Sequence, residues 1–293
     1  MFIIKYRKIF FTISAVLVAG AIFSIAIFRL NLGIDFKGGS IMEVSYPGER
    51  PSLKEVDSLI AGAVSGQVLV QPTGENGFIV RAQGSSEADR QALVKALSLN
   101  GKVKMTENKF NSIGPTIGSE LRSKAWIAIV TVVLAIIFFI AYVFRHVSEP
   151  VSSWKYGVIA IIALAHDIII PAGIFAFLGY EINSLFVIAL LAILGLSIND
   201  TIVVFDRVRE NLKNKTSNDF GETVGKSLEQ TFTRSINTSL TTLFVLLTLY
   251  FIGPDPTKNF ALALALGIFF GTYSSIFLAS PLLVVAEKWG KKK

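Results

Sequence analysis

Six long apolar runs constrain the fold of this 293-residue chain more than any other feature of its sequence. A helix needs about 20 consecutive apolar residues to cross the hydrocarbon core of a bilayer, and each run has roughly that length. The sequence therefore predicts a membrane protein with six transmembrane helices. The predicted spans cover residues 9–28, 126–144, 156–178, 185–205, 231–252 and 260–285.

Lys and Arg residues near the ends of these runs predict the orientation of the chain, because the cytoplasmic flanks of membrane spans are enriched in both. They are concentrated at the two termini, around residues 145–155 and around residues 207–226, whereas the two short connections on the other side hold Lys258 alone. Both termini are therefore expected in the cytoplasm. The first run lacks a small-x-small cleavage site near its end, which favours an uncleaved span over a signal peptide.

The segment between the first two spans is expected to form a small α+β domain. Its residue patterns predict a strand, a helix, two strands joined by the turn TGEN, a helix and a last strand. This order is typical of ferredoxin-like domains, and a generic small α+β domain is the alternative. Gly38 and Gly39 indicate a tight backbone path before the first strand, and residues 111–121 are interpreted as a linker.

The predicted fold is thus a membrane all-α bundle of six transmembrane helices with one extracytoplasmic α+β ferredoxin-like domain. Residues 1–32 would form a cytoplasmic N-terminus and the first span. Residues 33–122 would form the extracytoplasmic domain and its linker. Residues 123–293 would form spans two to six and a cytoplasmic C-terminus.

Asn199 and Asp200 interrupt the fourth apolar run. A carboxylate inside a membrane helix costs about 3 kcal/mol or more, so it is rare and indicates a functional site. The fifth run reaches a comfortable spanning length only if it includes Arg234. At 1.5 Å per residue, Asp200 lies about 22 Å along span four and Arg234 about 5 Å along span five. Because these spans run in opposite directions, both residues are predicted in the cytoplasmic half of the membrane, where they are expected to pair.

Such a pair can act as a proton switch. A nearby arginine favours the charged form of an aspartate, whereas separation from it in apolar surroundings favours the protonated form. Arg234 would keep its own proton and act as an electrostatic gate. The alternatives are that Arg234 only extends to the membrane interface, and that Asp200 is a structural polar residue bonded to Asn199 or to a neighbouring helix.

Further polar or small residues lie within the predicted spans. Asp167, beside His166 in span three, is either a second relay group or a helix-packing hydrogen-bond partner. Thr238 shares a helical stripe with Arg234, and this polar face would be unfavourable against lipid. A small-xxx-small stripe on span six, which predicts close helix packing, is formed by Gly267, Gly271 and Ser275.

Several chemistries have no support in the sequence. It contains no cysteine for disulfides or thiolate metal sites, and its two histidines are too few for a histidine-built metal site. It has no P-loop, GxSxG or HExxH motif, so neither enzymatic activity nor a cofactor is expected. The GLSIN sequence before Asp200 lacks the Gly-x-Gly-Asp loop of intramembrane aspartyl proteases. The net charge of +7 comes mostly from the span flanks, so nucleic-acid binding is not expected either.

Five segments are typical of one known family. They are GIDFKGGS after span one, IGPTIGSEL before span two, SINDTIVVFDRVRE at the end of span four, SLEQTFTRSINTSLTTL into span five and GTYSSIFLASPL in span six. In this combination and order they resemble SecF, the smaller partner of SecD in an accessory complex of bacterial protein export. That family is related to the resistance-nodulation-division transporters, and the resemblance covers nearly the whole chain.

The resemblance implies partners and a mechanism. It implies six spans in the bacterial inner membrane, and assembly with SecD and with the Sec translocon channel and its associated membrane subunits. It also implies unfolded preprotein as the cargo, driven by protons or, in some relatives, by sodium ions. The ion-coupling Asp and Arg of the family fall on Asp200 and Arg234. The alternatives are a small-molecule efflux transporter of the related superfamily, and a scaffold without ion coupling.

Overall fold

The computed structural model of the chain describes residues 2–60, 68–84, 86–145 and 150–288. It divides into two compact units, one formed by Leu32–Trp126 and the other by Met1–Asn31 with Ile127–Lys293. Some features singled out in the sequence lie outside the described residues. These are the end of the first domain helix, which the sequence predicts over residues 52–63, His146 and the lysines at residues 291–293.

Helices make up most of the described chain. In sequence, the strands of a four-stranded sheet lie between the first two long helices. In chain order the elements are α1 (Phe2–Lys5), α2 (Arg7–Phe28), β1 (Asn31–Leu32), α3 (Ile34–Lys37), β2 (Gly39–Ser45), α4 (Leu53–Ile60), β3 (Val68–Thr73), β4 (Gly77–Ala82), α5 (Glu87–Leu97), β5 (Thr106–Ile113), α6 (Pro115–Val143), α7 (Ser153–Leu178), β6 (Glu181–Ile182), α8 (Ser184–Lys213), α9 (Phe220–Ile252), α10 (Asp255–Tyr273), a π-helical segment (Ser274–Ala279) and α11 (Ser280–Lys288).

Six helices of the described chain are long and apolar enough to cross a membrane, which confirms the predicted number of spans. They are α2, α6, α7, α8, α9 and a last span in which α10, the π-helical segment and α11 are continuous. α7, α8 and the last span bury the largest shares of their apolar windows inside the chain, whereas α2 and α6 bury far less. The bundle core therefore lies among α7, α8 and the last span.

Two spans begin eleven residues before their predicted apolar runs. α6 begins at Pro115, where the missing N–H of proline has no helical partner to lose, so the predicted linker at 111–121 is mostly the end of β5 and the start of α6. α9 begins at Phe220, because Asp219 caps it by accepting a hydrogen bond from the Glu222 backbone N–H at 3.0 Å. Hydropathy marks only the part of a helix that suits lipid, so it missed both polar ends.

The sheet of the Leu32–Trp126 unit has the strand order β3-β4-β2-β5, and all neighbouring strands are antiparallel. With α4 after β2 and α5 after β4, this is the ferredoxin-like topology that the sequence predicted. Ser86 caps α5 by accepting a hydrogen bond from the Asp89 backbone N–H at 3.1 Å. The core between sheet and helices includes Met42, Val44, Phe78, Val80, Leu93 and Leu97.

Gly38 and Gly39 form a tight junction at the start of β2. Their φ angles of +76° and +125° are unfavourable for residues with a side chain. A Cβ atom on Gly38 would lie 2.8 Å from Cα of Pro115, and one on Gly39 would lie 2.5 Å from the carbonyl oxygen of Ala82. The two glycines therefore let the strand start against the first residue of α6, in agreement with the tight path expected from the sequence.

Tyr46 gives the ferredoxin-like domain a defined pH dependence. Its hydroxyl donates a hydrogen bond to the Leu97 carbonyl oxygen at 2.9 Å, and burial raises the pKa of Tyr46 to about 12. The unfolded tyrosine ionises near pH 10, so between about pH 10 and 12 the folded domain binds more protons than the unfolded one. The contribution of Tyr46 to stability is therefore complete below about pH 10 and is lost as the pH rises towards 12.

We expect Tyr46→Phe to cost about 1 kcal/mol of domain stability at neutral pH, because the Leu97 carbonyl loses its donor. The variant should also lose less stability than the wild type between about pH 10 and 12. Pulse proteolysis of the full chain in urea measures both effects. Tyr142→Phe, at a tyrosine that is 60% exposed, is the matched control and should change neither. An unchanged slope in Tyr46→Phe would contradict the assignment.

Candidate functional site

Buried polar side chains form a cluster among α7, α8, α9 and the last span. Polar groups in apolar surroundings are costly unless they are hydrogen-bonded, and these groups are bonded to one another across helices. The cluster comprises Asp167, Ser197, Thr201, Ser239, Thr272, Ser274 and Ser275. The bundle therefore has a polar interior at the level where these helices meet.

Asp167 is the most enclosed carboxylate of the cluster, with none of its surface exposed. Ser274 Oγ donates a hydrogen bond to Asp167 Oδ2 at 2.8 Å, and Ser197 Oγ donates to the same oxygen. His166 Nδ1 lies 2.9 Å from Asp167 Oδ1. Asp167 thus joins span three to α8 and to the π-helical segment.

Asp200 is half-buried on α8 and interacts with two residues of α9. Its side chain interacts with Ser239, and Arg234 acts on it through a longer-range electrostatic interaction. The ion pairs within the described residues do not include a direct one between Asp200 and Arg234. The Ser239 hydroxyl also contacts Thr272 Oγ1, so Asp200 connects through Ser239 to the last span.

Asn211 explains why Ser239, and not Arg234, lies at the level of Asp200. Its Nδ2 donates hydrogen bonds to Ser227 Oγ at 2.8 Å and to Gln230 Oε1 at 2.9 Å, which fixes the level of α9 against α8. Asp200 lies eleven residues before Asn211 on α8. α9 runs in the opposite direction, and its contacts with Asn211 are centred at about residue 228. The residue of α9 at the level of Asp200 is therefore eleven residues further on, at position 239. Arg234 lies five residues, or about 7.5 Å, closer to the α8–α9 connection.

The buried polar stripe of α9 differs from the stripe expected from the sequence. Hydroxyl residues spaced four apart are all buried: Thr223, Ser227, Thr231, Ser235 and Ser239. The predicted stripe through Arg234 and Thr238 is exposed instead, as is Asn199 on α8. Both stripes have helical spacing, so the regular hydroxyl repeat was the one sequence signal that pointed to Ser239.

The predicted small-residue stripe on span six is a close-packing surface against α8. A Cβ atom on Gly267 would collide with the side chain of Ile193, and one on Gly271 would lie 3.0 Å from Cβ of Ser197. Ser275 Oγ lies 2.8 Å from Thr201 Oγ1. This close approach brings the hydroxyls of the last span into the polar cluster. Ser275 lies within the π-helical segment, and such segments frequently occur at functional sites.

The fold and the cluster define a polytopic membrane protein with an inserted ferredoxin-like domain and ionisable groups inside its bundle. The family description "Protein export membrane protein SecD/SecF, C-terminal" matches residues 93–289, and "SecD/SecF GG Motif" matches residues 23–46. Protein translocase subunit SecF of Thermobaculum terrenum is 39% identical over 97% of this chain and 93% of its own length. The chain belongs to the SecF family, whose members are subunits of the protein translocase.

Other relatives agree. SecF of Vibrio alginolyticus is 34% identical over 95% of this chain and 87% of its own length. The crystal structure of SecDF from Thermus thermophilus, a translocon-associated membrane protein, matches 97% of this chain with a TM-score of 0.82 at 35% identity. A SecDF structure in a super-membrane-facing form matches 98% of it with a TM-score of 0.68 at 33% identity. This chain spans 38% of the length of each SecDF chain.

Proposed function

We propose that this export subunit uses the proton motive force to assist late steps of Sec-dependent protein export across the cytoplasmic membrane, with Asp200 and Arg234 as its ion-coupling pair. The observation that carries the proposal is the environment of Asp200. Its carboxyl group is half-buried within a span and lies beside Ser239, and Arg234 acts on it without a direct ion pair. A carboxyl group held in this way can gain or lose a proton when one helix moves.

The movement required is small. Arg234 lies about 7.5 Å from the level of Asp200 along α9, so a shift of little more than one helical turn, or extension of the long arginine side chain, would bring the guanidinium to the carboxylate. Approach of Arg234 favours release of the proton from Asp200, and retreat favours its uptake. A proton crossing 100 mV supplies about 2.3 kcal/mol. That energy biases two arrangements of the bundle by roughly 50-fold.

An exposed polar face on α8 and α9 supports assembly with SecD. Polar side chains inside a membrane span are unfavourable in lipid, so a second membrane protein is expected to cover them. The face comprises Asn199, Arg234, Asn237, Thr238, Thr241 and Thr248. We assign SecD to this face because the family description joins SecD with SecF, and because the matched SecDF chains extend well beyond the length of this one. Thr238 would then be an interface residue near the coupling pair.

The remaining assignments follow from the charge of the span flanks and from the family. Both termini would lie in the cytoplasm, and the ferredoxin-like domain outside it. The Sec translocon channel would be a further partner, as the Thermus SecDF is described as translocon-associated. Unfolded preprotein would be the cargo. Protons, or sodium ions in their place, would be the coupling ions at Asp200.

Export and efflux can be separated in a strain that lacks its own SecF. We expect this chain, expressed with its cognate SecD, to restore processing of exported preproteins and to leave drug accumulation unchanged. Immunoblots of precursor and mature forms measure the first effect, and uptake of a fluorescent drug measures the second. An empty vector is the control. Lower drug accumulation with unprocessed preproteins persisting would contradict the proposal and favour an efflux transporter.

A further inference from the structure

Two adjoining cavities lie at one end of the bundle, where α1, the start of α9 and the end of the last span meet. The first is a cleft of about 410 Å³ with a charged lining, which includes Lys5, Arg7, Asp219, Glu222, Glu287 and Lys288. The second is a groove of about 320 Å³ with a mostly apolar lining, which includes Ile3, Gly225, Leu228, Phe232 and Phe277. Phe2 and Ile4 line both cavities, so the charged cleft and the apolar groove form one continuous surface.

The charged cleft lies at the ends of the spans, and the apolar groove lies further along them. On α9 the cleft residues end at Glu222, and the groove residues run from Gly225 to Phe232. At 1.5 Å per residue, Phe232 lies about 15 Å beyond Glu222. Phe2 and Phe232 are 67% and 39% exposed, so the groove presents apolar surface. A bilayer has the same order, with polar headgroups outside and hydrocarbon inside. The two cavities therefore have the polarity order of one phospholipid molecule.

Basic side chains give the cleft donors for an anion. Lys5, Arg7 and Lys288 take part in none of the ion pairs within the described residues. Arg7 Nη1 donates a hydrogen bond to the Ile4 carbonyl oxygen at 3.0 Å, which holds the guanidinium beside the cleft. An arginine has five N–H donors, so most of those of Arg7 remain for another acceptor. A phosphodiester has one negative charge and only accepts hydrogen bonds, so it matches this set of donors.

An acidic side chain in the same cleft restricts the headgroup further. Glu222 is paired with Lys226, whose Nζ lies 3.2 Å from its carboxylate. Asp219 is exposed, and its Oδ2 accepts the Glu222 backbone N–H at 3.0 Å. A phosphate beside Asp219 would be repelled unless the headgroup also brings a positive charge and a donor to this carboxylate. An ethanolamine headgroup does so, because its ammonium group carries three N–H donors next to the phosphate.

We propose that the charged cleft and the apolar groove together bind one molecule of a phospholipid with a primary ammonium headgroup, phosphatidylethanolamine. Lys5, Arg7 and Lys288 bind its phosphate. The ammonium group donates to Asp219, and one acyl chain lies in the groove along Phe232. The lipid thereby connects α1, α9 and the last span at one end of the bundle. Its binding does not depend on the ion coupling proposed above.

Native mass spectrometry of the full-length chain in detergent, titrated with dioleoyl lipids, tests the proposal. We expect one saturable molecule of phosphatidylethanolamine. Phosphatidylcholine has the same chains and the same net charge but no N–H on its ammonium, so it should bind at least about fivefold more weakly. Phosphatidylglycerol, which has no ammonium, should also bind more weakly. Glycerophosphoethanolamine, which has the headgroup without acyl chains, should show no binding at the same concentrations.

Three variants locate the site. Lys5→Gln should weaken binding of phosphatidylethanolamine by about tenfold, because a hydrogen bond to a charged group is lost. Lys54→Gln, at an exposed lysine of α4, is the matched control and should have no effect. Asp219→Asn should reduce the preference for phosphatidylethanolamine over phosphatidylglycerol. Asparagine caps a helix as well as aspartate does, so this variant keeps the start of α9 intact.

Four results would overturn the proposal. Equal binding of the three lipids, or equal effects of Lys5→Gln and Lys54→Gln, would show only the lipid that surrounds any membrane protein. Binding of glycerophosphoethanolamine as strong as that of the lipid would exclude the groove. Loss of the bound lipid on addition of the cognate SecD would assign both cavities to a protein interface. The lipid comparison uses the unaltered chain, so it decides the matter even if a variant fails to fold.

Discussion

Asp200→Asn is expected to abolish the dependence of preprotein export on the proton motive force while the protein stays folded and bound to SecD. Asparagine has nearly the same shape as aspartate and remains polar, but it neither binds a proton nor carries a charge. If ion coupling supplies about 2.3 kcal/mol per proton at 100 mV, the variant loses a forward bias of roughly 50-fold. Export into inverted membrane vesicles, with and without a proton gradient, measures this loss.

Asp206→Asn is the matched control for this experiment. It makes the same chemical change on the same helix, six residues further on. The Asp206 side chain is 64% exposed and lies 3.6 Å from Arg209, and exposed ion pairs of this kind contribute at most about 1 kcal/mol. Export by Asp206→Asn should therefore keep its full response to the gradient.

Gradient-dependent export by Asp200→Asn, with SecD still bound, would show that the chain is a scaffold without ion coupling at Asp200. Loss of SecD binding would instead assign Asp200 to assembly. Co-purification of SecD with each variant distinguishes these outcomes from a loss of coupling. The experiment therefore separates the proposed function from both of its structural alternatives.

Asp200 could be found from the sequence because its energetic cost is local. A carboxylate within an apolar run is unfavourable whatever the fold, so its position alone marked it as unusual. The number of spans and the order of strands and helices in the ferredoxin-like domain are local in the same sense, because hydropathy and residue periodicity carry them. The number of spans and the ferredoxin-like order are accordingly confirmed by the structure.

The partner of Asp200 could not be found in this way, because it depends on how far α9 is shifted along α8. That shift is fixed by the buried side chain of Asn211, whose hydrogen bonds to Ser227 and Gln230 join distant parts of the sequence. Counting from the start of the apolar run placed Arg234 opposite Asp200. The structure places Ser239 there, on a helix that begins eleven residues before that run.

The orientation of α9 was ambiguous for a related reason. Thr238 and Ser239 are neighbours, so they point about 100° apart around the helix, and each belongs to a stripe of polar residues. The contact of Ser239 with Thr272 on the last span, together with the burial of its stripe, shows which stripe faces the bundle. Gly267 and Gly271 on the last span lie against α8. They allow the last span to come close enough for its Thr272 hydroxyl to contact Ser239.

Gly173→Ala is expected to destabilise the bundle by about 1–3 kcal/mol, the usual cost of forcing atoms into a filled space. Gly173 lies on α7 against α2, where Ser24 Oγ donates a hydrogen bond to its carbonyl oxygen at 2.8 Å. A Cβ atom on Gly173 would lie 2.5 Å from Cα and 2.8 Å from the carbonyl oxygen of Ala21. Backbone atoms cannot rotate away as a side chain can, so the two helices would have to separate.

Gly157→Ala on the same helix is the control, because a Cβ atom there would have no heavy atom of the described structure within 4 Å. In a helix interior, alanine is more favourable than glycine by up to about 1 kcal/mol, so this variant should be neutral or stabilised. Thermal unfolding of the full-length variants in detergent compares the two. The same substitution should thus have opposite effects at two positions of one helix, since only Gly173 contacts a neighbouring backbone. Equal midpoints would mean that α2 and α7 do not pack at Gly173 in the folded protein.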